Sequence, residues 1–316
     1  MERKGGRAEL DLVVVGEINP DVIVVADDPS PVFGQVERIV SAVRLEIGSS
    51  SAIFAAGAAR LGLRTAFAGV VGDDELGGFM LRALAAAGVD VGACRVDAVL
   101  PTGASVILAG PEDRAILTAM GAIGAVRAAD VPDALLATAR HLHVGSFFLL
   151  DALRPDLPAL FAAARERGLS TSLDCNWDPS ERWDGGLDGV LAQTDVLFVN
   201  QEEARRLTGR DDAWEAAGAL AREGLTVVVK RGADGALALA GDERATVPAL
   251  PVDVVDTTGA GDSFDAGFVR ARLDGASLRD CLRLAAACGS LSTRAAGGTR
   301  AQPDRAEAVR AAAALG

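Results

Sequence analysis

The stretch Val254-Val-Asp-Thr-Thr-Gly-Ala-Gly-Asp-Ser-Phe-Asp-Ala-Gly-Phe-Val269 decides how the rest of the chain is read. A strand-like entry runs into Gly-Ala-Gly at 259–261, and an apolar, small-residue helix follows from about Asp262. Glycines let backbone N–H groups come close to an anion, and a helix N-terminus adds favourable partial charge. An aspartate at the same point would repel a phosphate if holding phosphate were the whole task. It makes sense if a hydroxyl lies between carboxylate and phosphorus, so that Asp262 takes the proton while the N–H groups hold the transferring group. Gly-x-Gly before a helix is a weak signal alone; Asp-Thr-Thr before it and Asp-Ser-Phe-Asp-Ala-Gly-Phe after it make it specific.

Composition bounds what surrounds this site. The chain has 316 residues, 50% hydrophobic and 24% charged, which suits one large globular domain or two small ones. A net charge of −13 argues against nucleic acid or an anionic membrane as the main partner. Only Lys4 and Lys230 are lysines and neither precedes Ser or Thr, so a Walker A loop is excluded; His141 and His143 are the only histidines, which excludes His-Glu-x-x-His zinc chemistry. Val13-Val-Val-Gly16 lacks the Gly-x-Gly-x-x-Gly of a dinucleotide fold. The four cysteines, Cys94, Cys175, Cys281 and Cys288, form no framework, and a reduced, cytoplasmic setting is expected. The first ten residues lack an apolar signal core, and no long apolar run reads as a membrane span.

Outward from the Gly-Ala-Gly stretch the pattern is alternating strand and helix. Leu10–Gly16, Thr65–Val70, His141–Val144, Leu169–Asp174, Val196–Asn200 and Thr226–Lys230 read as strands. Helices are expected over Ser50–Leu61, Asp73–Ala87, Leu157–Arg167, Trp214–Glu223 and Pro303–Ala314. Such alternation implies a mainly parallel sheet covered on both faces. Two stretches break the rhythm: Val36–Ile47 alternates with period two, and Thr102–Ala109 with Arg114–Met120 flank Pro-Glu-Asp as a hairpin. They are read as a small sheet projecting from the α/β body, not as a separate domain.

The Gly-Ala-Gly-Asp segment resembles the C-terminal signature of the ribokinase family, the PfkB-type carbohydrate kinases. Gly16-Glu-Ile-Asn-Pro-Asp21, Ser172-Leu-Asp-Cys-Asn-Trp177, Asn200-Gln-Glu-Glu203 and Val229-Lys-Arg-Gly-Ala-Asp-Gly-Ala236 are similar, in order, to the family's other motifs. The resemblance covers essentially the whole chain. It implies one ribokinase-like α/β domain over 1–316, with a β-sheet lid inserted at about 18–47 and 98–122, and ATP as phosphoryl donor to an alcohol. Carried over residue by residue, Asp262 is the base, and Gly259, Ala260 and Gly261 form the anion hole. Asp21, Gly48, Ser49 and Asp174 are expected to meet the acceptor; His143, at a strand end, either lines that site or is simply packed. Asn176, Asn200, Glu203, Lys230, Gly232 and Gly235 are assigned to ATP and its phosphates. Glu203 is assigned to Mg²⁺, and Asp256 with Thr258 to an optional K⁺. Asn200 and Glu203 also have the spacing of a helix capping box. Asp265 is read as facing solvent or capping locally.

Two departures bear on the acceptor. Gly48-Ser-Ser-Ser-Ala-Ile53 has Ser49 where the family has a second Gly and Ile53 where it has Asn, and Asp178 stands where the Asp-x-Asn-x-Arg version has Arg. An amide has become an apolar branch and a cation has been lost, which argues against a phosphorylated or acidic acceptor. The leading expectation is therefore an ATP- and Mg²⁺-dependent kinase for a neutral sugar or polyol. A nucleoside kinase of the same fold and a non-catalytic sugar or nucleotide sensor are the alternatives. The lid's edge strands suggest a homodimer.

Overall fold

A computed structural model of the protein describes residues 10–109 and 114–316. Among these described residues the central sheet has nine strands. From one edge they run Glu243–Val247, Ala236–Ala240, Thr226–Lys230, Val196–Asn200, Ser170–Asp174, His141–Val144, Leu12–Val15, Thr65–Ala68 and Val89–Asp90. The first three pair antiparallel and the remainder parallel. Alternate side chains of one strand feed two cores. Leu12 and Val14 join Phe54, Phe198 and Phe268 on one face, while Val13 and Val15 join Leu142, Phe147 and Phe161 on the other. A strand buried on both faces reads as a continuous apolar run, which is why Leu-Val-Val-Val was legible as one.

Helices cover both faces, as expected. The Ser50–Arg60, Ala260–Leu273 and Leu278–Ser292 helices pack together on one side, and Leu157–Glu166, Gln201–Thr208 and Ala213–Leu220 cover the other. Parallel connections put the carboxyl ends of the strands on one rim. Asp174, Asn200 and Lys230 are each the last residue of a strand, on three adjacent strands of that rim.

The projecting sheet has four strands in the order Ala42–Ile47, Pro20–Val25, Ala104–Ala109 and Arg114–Ala119. The last two form the expected antiparallel hairpin; its Pro-Glu-Asp turn lies outside the described residues. The alternation from Val36 is only half used: residues 36–41 form no strand, and Ile39 is 89% exposed. Period-two hydrophobicity makes a strand only where a partner offers hydrogen bonds, and pairing with Pro20–Val25 begins at Ala42.

Candidate active site

The Ala260–Leu273 helix begins behind Gly259, which holds the left-handed φ of 72° that ends the loop and aims the helix N-terminus into the cleft. A Cβ at Gly259 would stand 2.8 Å from an Ile53 methyl, so the turn tolerates no side chain there. Of the three expected anion-hole amides, that of Ala260 donates to the Thr257 carbonyl at 3.2 Å. Among the described residues the N–H groups of Gly261 and Asp262 have no protein acceptor, so they are the donors left for a phosphoryl group. A side chain at Gly261 would begin 3.3 Å from the Lys230 ammonium, so glycine here keeps the cation against the loop.

Asp262 lies in the first helical turn and accepts a hydrogen bond from the Ser50 hydroxyl, at the start of the Ser50–Arg60 helix. Burial pushes its carboxyl up to about 8, and the Asp174 charge adds to the push; the Ser50 hydroxyl and the Lys230 ammonium pull the other way. Asp262 keeps partial exposure into the cleft. The free-aspartate value near 3.9 is therefore the wrong reference for this base.

Lys230 donates to Asp174 at 2.7 Å and to Asp265 at 3.0 Å. Asp265 thus corrects the expectation of a solvent-facing residue: it is 1% exposed and belongs to the charge cluster. The burial of Asp174 alone would raise its carboxyl, but the adjacent ammonium and its hydrogen bonds hold it at about 2. Burial raises Asp265 well above the carboxylate range. Its Oδ1 is buried without a hydrogen-bond partner, which disfavours charge on that oxygen and acts in the same direction. For Lys230, burial acts downward and the surrounding carboxylates outweigh it, so the ammonium stays protonated.

Asn200 and Glu203 form the capping box the spacing predicted. Glu203 N–H donates to Asn200 Oδ1 at 2.9 Å, and Asn200 N–H donates to Glu203 Oε2 at 2.8 Å. The box aims a buried carboxylate at the cleft, and burial with the Asp174 charge pushes Glu203 up to about 7. Two cavities flank this cluster. One, of about 480 Å³, reaches from Glu203 and Asp262 past Asp21 to the projecting sheet. The other, of about 470 Å³, is lined by Gly235, Leu250, Val252, Phe264 and Ala286. They share Lys230, Gly232, Thr257 and Gly261.

Other expected residues have narrower parts. Gly48 leaves room for Asp21, whose side chain would collide with any Cβ there. Ser49 lines the first cavity, but its hydroxyl accepts from Ala52 N at 3.1 Å and donates to the Glu17 carbonyl at 2.6 Å. Asn176 also lines it, with its amide engaged by Ser146 and Trp177. His143 lines neither cavity. It stacks on Phe54 with ring centroids 3.7 Å apart and bonds Ser172, and burial lowers it to about 3. The packed alternative is the correct one. Asp256 clamps its loop, accepting from Thr258 N–H and hydroxyl and from Gly297 N–H. Asp178, in the expected arginine position, accepts from the N–H groups of Ser180, Arg182 and Trp183, so it organises the loop.

Sequence reasoning missed Glu17. It is 3% exposed, lines the first cavity, and accepts from the Ser51 hydroxyl at 2.6 Å and the Ser146 hydroxyl at 2.7 Å. A charged residue two positions after a fully buried strand was the available signal.

Residues 9–305 match the sequence profile of the pfkB family carbohydrate kinases. The chain belongs to that family. It is 33% identical over 91% of its length to an ATP-dependent ribose-1-phosphate kinase of Halopiger xanaduensis, covering 93% of that protein. It is 30% identical over 95% of its length to a nucleoside kinase of Methanothermobacter thermautotrophicus, covering 94% of it. The solved structure of Arabidopsis thaliana ribokinase complexed with ribose and ATP superposes with a TM-score of 0.82 at 26% identity, over 96% of this chain and 98% of that one. The protein is thus a carbohydrate kinase with a ribokinase-like fold. Among its described residues no helix is long and apolar enough to cross a membrane.

Proposed function

We propose that the protein transfers the γ-phosphoryl group of ATP to a hydroxyl of a neutral sugar or related polyol, with Asp262 as general base. The observation that carries this reading is the junction of two cavities at Gly261, which Lys230 also lines on both sides, with Asp262 next to it lining the acceptor side. Adenine and ribose fit the small-residue cavity beyond Gly235, and the acceptor fits the lid side. The acceptor hydroxyl gives its proton to Asp262 as its oxygen bonds phosphorus, while preorganised N–H groups and Lys230 hold the phosphoryl oxygens. Glu203 and Asp174 suit Mg²⁺, which favours one or two carboxylates together with nucleotide phosphates. When bound, the ion supplies charge neutralisation. The Glu203 and Asp174 oxygens already accept from Asn200 and Lys230, and those of Asp256 and Thr258 are engaged with each other, so Mg²⁺ and K⁺ would each displace hydrogen bonds on binding.

Charge supports a neutral acceptor. Glu17, Asp21, Asp174 and Glu203 line the acceptor cavity, and among its described lining residues Lys230 is the one cation. A phosphate on the acceptor would meet carboxylates without an arginine to pair with. The outward lid face carries Val43 and Leu117, each 62% exposed, and Leu45, 41% exposed. That apolar face is what a homodimer through the lid would cover.

The test is ADP formation on adding an acceptor, followed by product mass, with pentoses, hexoses, sugar phosphates and nucleosides compared with and without chelator. A neutral acceptor should be best, and activity should vanish with chelator. A sugar phosphate as best acceptor by kcat/KM overturns the neutrality; ATP binding with no acceptor-dependent ADP favours a sensor.

A further inference from the structure

Among the described residues six other than glycine have left-handed φ values, and three of the six meet at Glu17. Ser49, at φ 68°, donates its hydroxyl to the Glu17 carbonyl at 2.6 Å. Ser146, at φ 55°, donates to Glu17 Oε1 at 2.7 Å. Asn176, at φ 54°, donates its amide to that same Ser146 hydroxyl at 3.0 Å. A left-handed backbone is uncommon outside glycine and persists only where its surroundings over-determine it. A fourth residue ties the group together. Ser51 gives Glu17 Oε2 its hydroxyl at 2.6 Å and Oε1 its N–H at 3.3 Å. That hydroxyl has room only because two neighbours are glycine: a Cβ at Gly16 or at Gly145 would collide with it.

The segments joined in this way carry the site. Ser50, whose hydroxyl bonds Asp262, stands between two residues bonded to Glu17. Asn176 follows the Ser170–Asp174 strand, and its N–H donates at 2.8 Å to Asp174, the carboxylate that holds Lys230. Glu17, Ser49, Ser50 and Asn176 all line the acceptor cavity, and none of them lines the cavity beyond Gly235. Resting on the kinase reading above, we propose that Glu17 is a positioning residue for the acceptor: it holds Ser49, Ser50 and Asn176 where the cavity wall must stand for the reacting hydroxyl to lie between Asp262 and the phosphoryl group. It acts through hydrogen bonds and not through charge. Burial raises its carboxyl, so a neutral amide of the same shape suits the place. A misplacement of about 1 Å from a change away from the reacting atoms costs up to about 10²-fold in rate.

The test uses the full chain with ATP and Mg²⁺, and D-ribose, D-fructose, D-glucose, ribose 1-phosphate and adenosine as acceptors. Variants are assayed with the compound the parent phosphorylates best. Glu17→Ala should lower kcat/KM for the acceptor by about 10²-fold while the KM for ATP stays within about twofold. Glu17→Gln should stay within about threefold of the parent in both. Ser146→Gly frees the left-handed backbone of its strain but cuts the link from Glu17 to Asn176. It should therefore melt within about 3 °C of the parent and still raise the acceptor KM about tenfold. Equal losses for ATP and acceptor in Glu17→Ala overturn the inference and leave the kinase reading standing. So does a Glu17→Gln variant as impaired as Glu17→Ala, or a folded Ser146→Gly variant with the parent's acceptor KM. If Glu17→Ala does not fold, Glu17→Gln and Ser146→Gly decide. No acceptor-dependent ADP from the parent with any of the five compounds overturns the kinase reading and the inference with it.

Discussion

The two cavities that meet at Lys230 are made of different materials. The cavity beyond Gly235 is walled largely by small and aliphatic side chains and by backbone turns, drawn mostly from residues 230–293. The lid-side cavity draws Glu17, Asp21, Ser105, Ile116, Asn176 and Asp262 from across almost the whole chain. Phosphoryl transfer asks the same of every donor nucleotide: backbone donors, a cation and a base at fixed positions. A contiguous loop and helix can supply most of that. Acceptor choice asks for a surface, and a surface is assembled from strands far apart in sequence. The transfer half therefore keeps the family pattern, while Ser49 and Ile53, its two departures in the N-terminal motif, both line the acceptor half.

The strongest way to break this division is to remove the base alone. Asp262→Asn should lower kcat by about 10²–10⁴-fold, the range of general-base contributions, with ATP affinity and circular dichroism preserved. A turnover within threefold of the parent removes Asp262 from the mechanism. The raised carboxyl gives a second reading of the same residue. In the free enzyme kcat/KM should rise with pH and level off above about 8, where Asp262 is ionised. Stability should run the other way. Asp262 and Glu203 are raised in the fold, to about 8 and about 7, so their stabilising protonation is complete below the unfolded carboxyl value and lost as pH climbs through those values. Ligand-free thermal melts should therefore fall between pH 5 and 8, as ordinates opposite to the activity.

Lys230 tests whether the halves share one electrostatic centre. It is 14% exposed and is paired with two carboxylates that are more buried still. Lys230→Met leaves Asp174 charged and unpaired, a loss of about 3–5 kcal/mol by analogy with broken buried pairs. Denaturant unfolding at pH 7 measures it, and lowering the pH to 5 should return part of the loss as Asp174 protonates. If stability is unchanged at both pH values, the cluster is held by something other than the ammonium.

Much of the transfer half was legible because its residues are close in sequence or end a strand. Gly259, Gly261 and Asp262 follow one another, and Asp174, Asn200 and Lys230 each close a strand, where open parallel sheets gather their ligands. What failed needed three dimensions. Asp265 is one helical turn from Asp262, and only the packing of that helix over Lys230 turns it inward. His143 is the last residue but one of its strand, and it points into the aromatic core beside Phe54. Asp178 looked like a lost cation, but it has a task of its own in holding the N–H groups of its loop.

In the acceptor half, Asp21→Ala should raise the acceptor KM by about tenfold to a hundredfold, the worth of one or two hydrogen bonds to a charged group, and move the ATP KM little. Equal losses in both would show that Asp21, packed on Gly48, serves the fold instead of the acceptor.

The smallest effect concerns Ser49, where the family's glycine has been replaced. Its φ of 68° and ψ of 133° fall in a region that suits glycine, and holding another residue there costs about 1–3 kcal/mol. Its hydroxyl offsets this by capping the Ser50–Arg60 helix through Ala52 N–H and by donating to the Glu17 carbonyl. Ser49→Gly relieves the backbone and loses both bonds, so the terms nearly cancel and stability should stay within about 1 kcal/mol. Ser49→Ala keeps the strained backbone and loses the same bonds, so it should fall by about 2 kcal/mol. Chemical denaturation of the two variants side by side measures the difference, which comes from the backbone alone because the hydrogen bonds lost are identical. If Ser49→Ala proves as stable as Ser49→Gly, the left-handed backbone carries no strain, and the serine is no compensated departure from the glycine it replaced.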